Sequence, residues 1–486
     1  MKISKILSGV PYTLIKGDID QDINEIAYDS RKVKKGDIFI CIEGFNMDGH
    51  KFARLAAING AAAIVVMKDI EEDVPCIVIK VEDTRRVMAL ASANYYSHPE
   101  RKLRMIGVTG TNGKTTTTFM LKAILTEAGY KVGIIGTIAN YIGDKKIETH
   151  RTTPEALELF KLIDDMVKEG INYCIMEVSS HSLSLDRVYG INFSQAIFTN
   201  ITQDHLDFHK TFEEYYKAKL KLFLNSESSV INLDGSYGNS IKKDVKNNKL
   251  TFSMEVKDAL AADLVAYAID SRVNESSFTI RYKDLSEKIT IILPGKFNIS
   301  NALGCIAVAL NEKISIEAIK KGLNKAKVPG RSELISDEYP IDYSIYLDYA
   351  HTPDALQNIL ETFKELKKGR LISVFGCGGN RDREKRPMMG KIGTELSDIA
   401  IITSDNPRKE EPMDIIKEIT AGIQKDNYIV IEDRKDAIKK ALSIAEKDDV
   451  VVIAGKGHED YQELKDKVVH FDEKEVINGI LRSCEK

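Results

Sequence analysis

Short apolar runs alternate with longer amphipathic stretches along most of this 486-residue chain. In its central part the apolar runs fall at residues 105–108, 173–178, 196–200 and 230–233. Short strands separated by helical patterns are typical of a parallel sheet with crossover helices. The pattern therefore predicts an α/β fold whose central sheet is parallel.

Two proline-containing connections divide the chain into three predicted domains, residues 1–100, 101–328 and 329–486. Pro99 favours an extended connection at the first boundary, and Val328-Pro-Gly330 marks the second. The first domain has predicted strands at 37–41, 62–66 and 76–81, and the third has them at 344–349, 371–375, 399–403 and 450–454. The polar stretch 247–280 is more typical of a β meander. We expect three α/β domains, the last of them Rossmann-like.

One turn carries the clearest chemistry. The strand at 105–108 runs into Gly110-Thr-Asn-Gly-Lys-Thr-Thr116, and a helix is predicted at 117–128. Backbone N–H groups of such a turn, together with the helix N-terminus, form a site for phosphate. Lys114 would reach the β- and γ-phosphates and the Thr115 hydroxyl would bind Mg²⁺, although Val108 stands where the general P-loop pattern has glycine. The turn predicts an ATPase-type central domain that binds ATP.

Composition narrows the possible partners. The net charge is −4, from 69 basic and 73 acidic residues, so the balance does not favour a nucleic-acid partner. The apolar stretch 60–67 is too short to cross a membrane, and the first residues lack the apolar core of a signal peptide. Six dispersed cysteines suggest neither a zinc site nor a disulfide framework. We expect a cytoplasmic enzyme that is a monomer.

Three further polar segments are open to more than one interpretation. Glu177, at the end of a predicted strand, is either a Mg²⁺ ligand or a solvated surface residue. The loop 199–209 is dense in polar side chains, which favours a metal and phosphate site over a core; these side chains are Asn200, Asp204, His205, Asp207 and His209. In the following helix, Lys217, Lys219 and Lys221 would ordinarily form a solvated basic face.

Taken together, the motifs resemble the Mur ligase family over most of the chain. The shared motifs are Asp29-Ser-Arg31, Gly110-Thr-Asn-Gly-Lys-Thr-Thr116, Glu177-Val-Ser-Ser-His181, Asn200-Ile-Thr-Gln-Asp-His205, Ala218-Lys219, Leu293-Pro-Gly-Lys-Phe-Asn298, Pro329-Gly-Arg331 and Asp348-Tyr-Ala-His351. Within the family the chain looks like the MurE type, through Arg151-Thr-Thr-Pro154, Asp405-Asn-Pro-Arg408 and Gly455-Lys-Gly-His-Glu459.

The resemblance implies an ATP-dependent amide ligase of peptidoglycan precursor synthesis that works through an acyl phosphate. Its catalytic residues would be Lys114, Lys219 and His205. Mg²⁺ would bind Thr115, Glu177 and Lys219, the last modified to a carbamate (N6-carboxylysine). Positions matching the ATP site are Gly110, Thr111, Asn112, Gly113, Lys114, Thr115, Thr116, Asn298, Asn301, Arg331 and Asp348.

The implied partners are ATP, UDP-N-acetylmuramoyl-L-Ala-D-Glu and meso-diaminopimelate. The first domain would be UDP-binding and would hold part of the UDP-linked substrate. The UDP-linked substrate would contact Ser30, Arg151, Thr152, Thr153, Ser179, Leu185 and Arg187. Leu185 stands where some relatives have Gln, and Phe45-Asn-Met47 departs from a His-containing loop of some relatives. Diaminopimelate would contact Arg386, Asp405, Asn406, Pro407, Arg408, Gly455 and Glu459.

Two alternatives remain at this point. An L-lysine-adding ligase of the same type would share the chemistry, but lysine-adding relatives lack an arginine matching Arg408. A folylpolyglutamate synthase shares the P-loop, yet its P-loop lies near the N-terminus. The hundred residues that precede the P-loop here, with Asp29-Ser-Arg31, favour the Mur ligase interpretation.

Overall fold

The structure is a computed structural model that describes residues 1–44, 47–70, 73–149, 151–255 and 261–484. It contains one large sheet in each predicted segment, which confirms the three-part α/β class. The domain boundaries predicted near residues 100 and 328 fall in connections between sheets. Whether they separate domains stays a prediction. The Phe45 and Asn46 positions of the departing loop lie outside the described residues.

The first segment forms a five-stranded sheet in the order β1-β5-β4-β3-β2, with only the edge strand β1 antiparallel. Its elements are α1 (Ile3–Ile6), β1 (Thr13–Lys16), β2 (Ile26–Ala27), β3 (Ile38–Ile40), α2 (Ala53–Ile58), β4 (Ala63–Val66), β5 (Ile77–Lys80) and α3 (Thr84–Tyr95). Short 3-10 helices lie at Ser30–Lys32, Gly49–Phe52 and Pro99–Arg101.

The central segment forms an eleven-stranded sheet in the order β16-β15-β14-β13-β12-β11-β6-β10-β7-β8-β9. Its strands are β6 (Arg104–Thr109), β7 (Val132–Ile135), β8 (Asn140–Ile142), β9 (Lys145–Ile147), β10 (Tyr173–Glu177), β11 (Gln195–Phe198), β12 (Ser228–Asn232), β13 (Asn248–Ser253), β14 (Leu264–Ser271), β15 (Ser276–Tyr282) and β16 (Leu285–Ile291). Its helices are α4 (Lys114–Glu127), α5 (Ala156–Lys168), α6 (Ser180–Ser184), α7 (Leu206–His209), α8 (Phe212–Leu224), α9 (Gly238–Asp244), α10 (Lys296–Asn311) and α11 (Ile316–Lys325).

The third segment forms a six-stranded sheet in the order β17-β18-β22-β19-β20-β21, parallel except for β17, and a separate β23–β24 hairpin. The strands are β17 (Glu333–Leu334), β18 (Ser344–Asp348), β19 (Leu371–Phe375), β20 (Ile399–Ile402), β21 (Tyr428–Val430), β22 (Val450–Ala454), β23 (Tyr461–Glu463) and β24 (Val468–His470). The helices are α12 (Pro353–Leu366), α13 (Lys385–Leu396), α14 (Pro412–Thr420), α15 (Arg434–Ile444) and α16 (Glu473–Cys484), and a 3-10 helix lies at Ser336–Glu338.

The central sheet is parallel only in its middle. The seven neighbouring strands in the middle of the sheet are parallel, in the order β14-β13-β12-β11-β6-β10-β7. At one edge β15 and β16 add antiparallel pairs, and at the other edge β8 and β9 do so. The meander expected at 247–280 corresponds to β14–β16 with the parallel β13 before it. Edge strands such as β9 expose their side chains, so they lack the continuous apolar run that identifies a buried strand.

Helix α4 holds the P-loop against the sheet. It begins at Lys114, three residues before the predicted start at 117, after Gly113 in a left-handed conformation (φ +85°). Met120, Leu121 and Ile124 of this helix are buried in the core. Helix α11 packs so closely on it that a Cβ at Gly322 would lie 2.5 Å from the Ile124 Cα.

We predict that Gly322→Ala destabilises the protein by about 1–3 kcal/mol, because the added methyl group would press on backbone that cannot rotate away. The measurement is the apparent melting temperature. Gly479→Ala is the matched control, since a methyl group added to this helical glycine would meet no atom within 4 Å. It should be neutral or stabilising by about 0.5–1 kcal/mol. Equal melting temperatures for the two variants would contradict the close packing.

Candidate active site

Three adjacent strands bring the predicted motifs together. In the sheet β6 lies between β10 and β11, and all three are parallel. Their carboxyl ends therefore meet at one edge, where ligands bind in open α/β sheets. The P-loop follows β6, Glu177 ends β10, and Thr199 and Asn200 follow β11. Residues far apart in the chain thus form one polar cluster.

Two lysine amino groups donate to the same carbonyl oxygen. Lys114 Nζ and Lys219 Nζ each lie 2.9 Å from the Gly110 oxygen, and Lys114 also donates to the Thr111 oxygen at 2.8 Å. The side chain of Lys219 is only 1% exposed. Burial, reinforced by the positive charge of Lys114, lowers the pKa of Lys219 well below its ordinary value. An anion bound between the two amines would relieve the repulsion between them.

The middle lysine of α8 is buried, so it does not belong to the solvated basic face that such a lysine pattern ordinarily forms. Lys217 is exposed and Lys221 half exposed, whereas Lys219 points into the P-loop. Helix α8 is held there by Tyr215, whose hydroxyl lies 3.0 Å from the Thr111 hydroxyl. Packing of the helix on the loop, which a local charge pattern does not reveal, buries this one amine.

Glu177 is a buried carboxylate surrounded by hydroxyl groups. Its Oε2 accepts from the hydroxyls of Thr115 and Thr137, both at 3.0 Å, and its Oε1 accepts from the Thr137 backbone at 3.0 Å. A carboxylate and a hydroxyl side by side are hard oxygen donors of the kind that Mg²⁺ prefers. Among the described residues no group of three or more His, Cys, Asp or Glu could hold a metal. Mg²⁺, which usually keeps water and phosphate oxygens as ligands, fits such a sparse donor set.

The loop after β11 is fastened to the P-loop. The Asn200 side chain accepts from the Asn112 backbone at 2.9 Å, and the Thr111 hydroxyl accepts from the Thr202 backbone at 3.0 Å. Thr199 lies so close that a Cβ at Gly110 would be 1.8 Å from its hydroxyl oxygen. The predicted phosphate loop and its neighbour therefore form one rigid unit.

The histidines of this loop differ in position. His205 is half exposed, adopts φ +54°, and has its Nε2 3.3 Å from Asp204. His209 is buried and its Nε2 lies 2.9 Å from the Ser180 hydroxyl, which gives it a packing role. The side chain of Asp207 lies outside the described part of the structure.

Of the two α10 residues expected to hold the nucleotide, Asn301 lies against the P-loop. A Cβ at Gly113 would lie 2.3 Å from Asn301 Oδ1, so this amide sits directly against the loop. Asn298 is buried and donates to the Pro294 oxygen at 2.7 Å. The close approach at Gly113, together with its positive φ, explains why glycine is required there.

The third segment reaches the P-loop from the opposite side. Arg331 Nη2 lies 3.5 Å from the Thr115 hydroxyl, and its guanidinium lies 4.4 Å above the Tyr349 ring. Asp348, at the end of β18, accepts from the Ser332 backbone at 2.7 Å, and burial raises its pKa. Of the two residues of this segment that were predicted to contact ATP, Arg331 therefore reaches the P-loop. Asp348 binds the backbone of Ser332, the residue that follows Arg331.

A second chain of contacts leads away from Glu177 toward the first domain. The Thr153 hydroxyl donates to the Glu177 backbone carbonyl oxygen at 2.8 Å and accepts from the Ser179 backbone N–H at 3.2 Å. Arg187 donates to the Thr153 oxygen at 3.0 Å, and Thr152 pairs with the Thr137 hydroxyl at 3.0 Å.

Other residues assigned to the UDP-linked substrate extend this path. Arg151 and Arg187 both contact Glu155. Leu185 is half-buried at the end of α6. Ser30 lies apart in the first domain, where its oxygen accepts from Asn59 at 2.8 Å.

The residues expected to hold the added amino acid lie at the carboxyl edge of the third sheet. Asn406 donates to Glu459 Oε2 at 3.0 Å and accepts from the fully buried Lys456 at 3.0 Å. A Cβ at Gly455 would lie 2.6 Å from Asp405 Oδ2. Burial alone would raise the pKa of Asp405, but Lys456 and Arg434 hold it below its usual value.

Two arginines of this region, Arg408 and Arg386, differ in burial and in the number of carboxylates that they already contact. Arg408 is half-buried at φ +52°, contacts Glu463 at 2.5 Å and donates to the Gly379 oxygen at 3.0 Å. Its loop is tight, because a Cβ at Gly379 would lie 1.9 Å from the Pro407 oxygen.

Arg386 is fully buried. It forms a paired contact with Glu410 at 2.9 Å and also binds Glu418 at 2.8 Å. It donates to the Gly378 oxygen at 3.3 Å as well. Its guanidinium is therefore committed to neighbouring carboxylates, and its expected contact with a ligand stays a prediction.

Comparisons with known proteins agree with this arrangement. The Mur ligase middle domain matches residues 108–309, the Mur ligase glutamate ligase domain residues 330–457, and the Mur ligase family catalytic domain residues 22–96. UDP-N-acetylmuramoyl-L-alanyl-D-glutamate--2,6-diaminopimelate ligase 1 of Clostridium acetobutylicum is 56% identical over 483 residues, covering 99% of each chain. The chain belongs to the Mur ligase family.

Two further relatives extend this result. The UDP-N-acetylmuramoyl-L-alanyl-D-glutamate--2,6-diaminopimelate ligase of Clostridium botulinum is 56% identical over 486 residues, covering 99% of this chain and 100% of its own. A solved structure of a ligase with the same name superposes with a TM-score of 0.72 at 30% identity, covering 100% of this chain and 99% of that one. The Mur ligase fold therefore extends over the full length of the chain.

One residue of this Mur ligase that the motif analysis missed is Asp354, at the start of α12. Its Oδ2 accepts from Asn112 of the P-loop at 2.5 Å and from the Thr202 hydroxyl at 3.3 Å. Burial raises the pKa of Asp354. The sequence did indicate the helix on which Asp354 lies, since Thr352 and Pro353 are typical of a helix start. The partner, 242 residues away, was not visible in the sequence.

We predict that Asp354→Ala raises the KM for ATP about tenfold, because it removes the acceptor that joins the third domain to the P-loop and leaves the Asn112 side-chain amide without that partner. Steady-state kinetics with varied ATP is the measurement. Asp354→Asn should keep most of the affinity, because its amide oxygen can still accept. Gln357→Ala, an exposed change on the same helix, is the control. An unchanged KM in Asp354→Ala would refute the coupling.

Proposed function

We propose that the protein is an ATP-dependent ligase that joins meso-2,6-diaminopimelate to the D-Glu side-chain carboxylate of UDP-N-acetylmuramoyl-L-Ala-D-Glu. The observation that carries this proposal is the 56% identity, over nearly the whole chain, to two relatives named for these substrates. The reaction is a step of peptidoglycan precursor synthesis. Among the described residues no helix is both long and apolar enough to span a bilayer.

We place the protein in the cytoplasm and propose a monomer with no nucleic-acid or membrane partner.

The chemistry explains the need for ATP. A free carboxylate is a poor electrophile, so one of its oxygens first attacks the γ-phosphorus of ATP and ADP leaves. The amine of diaminopimelate then attacks the acyl phosphate, and phosphate leaves the tetrahedral intermediate as the amide forms. Phosphoryl transfer between anions requires neutralisation of charge. Lys114, Arg331 and His205 are the groups that we assign to this task.

Mg²⁺ would be held by Thr115 and Glu177, whose oxygens already lie 3.0 Å apart. When bound, it would neutralise phosphate charge. We assign Lys219 as a carbamate, formed when its neutral amine adds CO₂ and loses a proton. The burial of Lys219 beside Lys114 supports this, because a second buried ammonium is costly there, whereas a carbamate brings a negative charge.

Closure of the third domain would protect the acyl phosphate from water. Arg331 and Asp354 reach the P-loop from that domain, so ATP would be enclosed between the two sheets. Asn298 and Asn301 would hold the nucleotide from α10. Asp348, buried next to Arg331, would contact the ribose.

The amino-acid site favours diaminopimelate over lysine. Diaminopimelate carries a second carboxylate at its far end, and a planar guanidinium binds a carboxylate by paired hydrogen bonds. Arg408 is the arginine that we assign to this carboxylate, and Glu459 with Gly455 would meet the distal ammonium. Arg386 would act indirectly, by holding the Gly378 backbone next to Arg408.

We predict that the wild type releases phosphate with meso-diaminopimelate far faster than with L-lysine, and that Arg408→Ala raises the KM for diaminopimelate steeply. Loss of a bidentate charged partner costs on the order of 2–5 kcal/mol in binding. The KM for ATP should barely change, since Arg408 lies in the amino-acid site. The measurement is phosphate release that depends on the UDP-linked dipeptide.

Lys409→Ala is the matched control, because it removes the same charge from the next, exposed residue of the turn. A wild type that prefers L-lysine would overturn the substrate assignment. Unchanged diaminopimelate affinity in Arg408→Ala would overturn the role of this arginine.

We predict that Lys219→Ala abolishes turnover and that short-chain carboxylic acids partly restore it, because they can place a carboxylate where the carbamate stood. Carbon-13 bicarbonate should give the wild type a carbamate resonance that Lys219→Ala lacks. Lys217→Ala, on the exposed side of the same helix, should keep both the resonance and the activity. Full activity in Lys219→Ala would rule the carbamate out.

A further inference from the structure

Three arginines surround a single glutamate where the first domain meets the central domain. Glu155 Oε1 accepts from Arg187 at 2.8 Å and from Arg151. Arg85 of α3 places Nη1 3.9 Å from Glu155 Oε2, an ionic contact that is too long for a hydrogen bond. Neither Arg85 nor Glu155 belongs to the residues assigned above to a substrate.

This cluster carries excess positive charge. Three guanidinium groups face one carboxylate, which leaves two positive charges that it does not neutralise. Arg85, Arg187 and Glu155 are each less than one-fifth exposed. Burial, with repulsion from Arg151 and Arg85, lowers the pKa of Arg187, and within the described residues its Nε has no hydrogen-bond partner. A partly buried site of this kind is suited to a ligand with two negative charges.

Neighbouring acidic groups have other partners. Asp186 lies 3.1 Å from Arg86 and 3.8 Å from Lys221. Glu158 accepts from the Tyr28 hydroxyl at 2.7 Å. The excess charge around Glu155 therefore remains after these contacts are included.

The position of the cluster identifies the anion. Arg85 donates to the Glu43 backbone oxygen at 2.9 Å, within the first domain, which contains Ser30 and which we expect to bind the uridine end of the UDP-linked substrate. Arg187 donates to Thr153, which leads to Glu177 and the P-loop. The cluster thus lies between the end that would hold uridine and the end where the peptide would react. In the UDP-linked dipeptide the diphosphate and the sugar lie between those ends, and of these two only the diphosphate is charged, with two negative charges.

We propose that Arg85 is a substrate-binding residue that, with Arg151 and Arg187, holds the diphosphate of the nucleotide sugar. Glu155 is their counter-ion in the substrate-free protein, and the diphosphate takes over part of its contacts. Arginine suits this role because its planar donors pair with phosphate oxygens. The inference rests on the proposed function and adds to it a residue from the first domain.

The test measures binding to the full-length protein by calorimetry, with a non-hydrolysable ATP analogue present to occupy the P-loop. The probes are UDP-N-acetylmuramoyl-L-Ala-D-Glu and UDP-N-acetylglucosamine, which share the diphosphate but not the peptide. Arg85→Ala should weaken both probes about tenfold or more. Arg85→Lys, which keeps the charge without the paired donors, should recover part of the loss. The melting temperature and the affinity for the ATP analogue should stay unchanged.

Arg86→Ala is the matched control. Arg86 is the next residue of α3 and also bridges the two domains, through Asp186 at 3.1 Å. The Arg86→Ala substitution should leave the affinities for both UDP-linked probes unchanged. An equal loss in Arg86→Ala would make Arg85 a domain brace and overturn the proposal, as would no loss in Arg85→Ala. Loss for the dipeptide substrate alone would overturn the diphosphate assignment.

The same titrations separate this inference from the proposed function. If the wild type forms the amide with diaminopimelate and Arg85→Ala binds both probes normally, only the inference fails. If the wild type binds neither UDP-linked probe, the proposed function fails as well.

Discussion

The site depends on an electrostatic conflict at one backbone oxygen. Lys114 and Lys219 both donate to the Gly110 carbonyl at 2.9 Å, and Lys219 has almost no exposed surface. Two ammonium groups so close, one of them almost fully buried, repel each other strongly. The arrangement is stable only if one amine is neutral or if anions enter. A site built in this way favours phosphate and CO₂-derived carboxylate over neutral ligands.

The fold makes this conflict possible by placing three carboxyl strand ends side by side. Because β6 lies between β10 and β11, the loop that carries Lys114 has Glu177 on one side and Asn200 on the other. Helix α8 adds Lys219 from its buried side. The third sheet then contributes Arg331 and Asp354, which contact the same loop. Under the proposed function, charge complementarity for ATP would be divided between the central and third segments, so ATP binding and closure would be coupled.

The parts that were predicted from the sequence are those with local signals. The strand, turn and helix around Gly113 were recognisable, as was a carboxylate at the end of β10, because each depends on neighbouring residues. The charge pattern alone did not indicate the burial of Lys219, since its helix has lysines on either side; only the resemblance to the Mur ligases singled this lysine out. Strands β8 and β9 were missed because each has only three residues and neither carries a continuous apolar run; β9 at the edge is also largely exposed. The ion cluster at Glu155 was missed for a different reason, since it joins residues of separate domains.

The central claim is that a carboxylate is activated by phosphorylation at the cluster around Lys114. The most direct measurement uses UDP-N-acetylmuramoyl-L-Ala-D-Glu with oxygen-18 in the D-Glu side-chain carboxylate, together with ATP and meso-diaminopimelate. The carboxylate oxygen that attacks phosphorus stays with it when the amine displaces phosphate. We predict that each phosphate released with an amide bond carries one oxygen-18 atom. Unlabelled phosphate, or label found in AMP, would contradict the account.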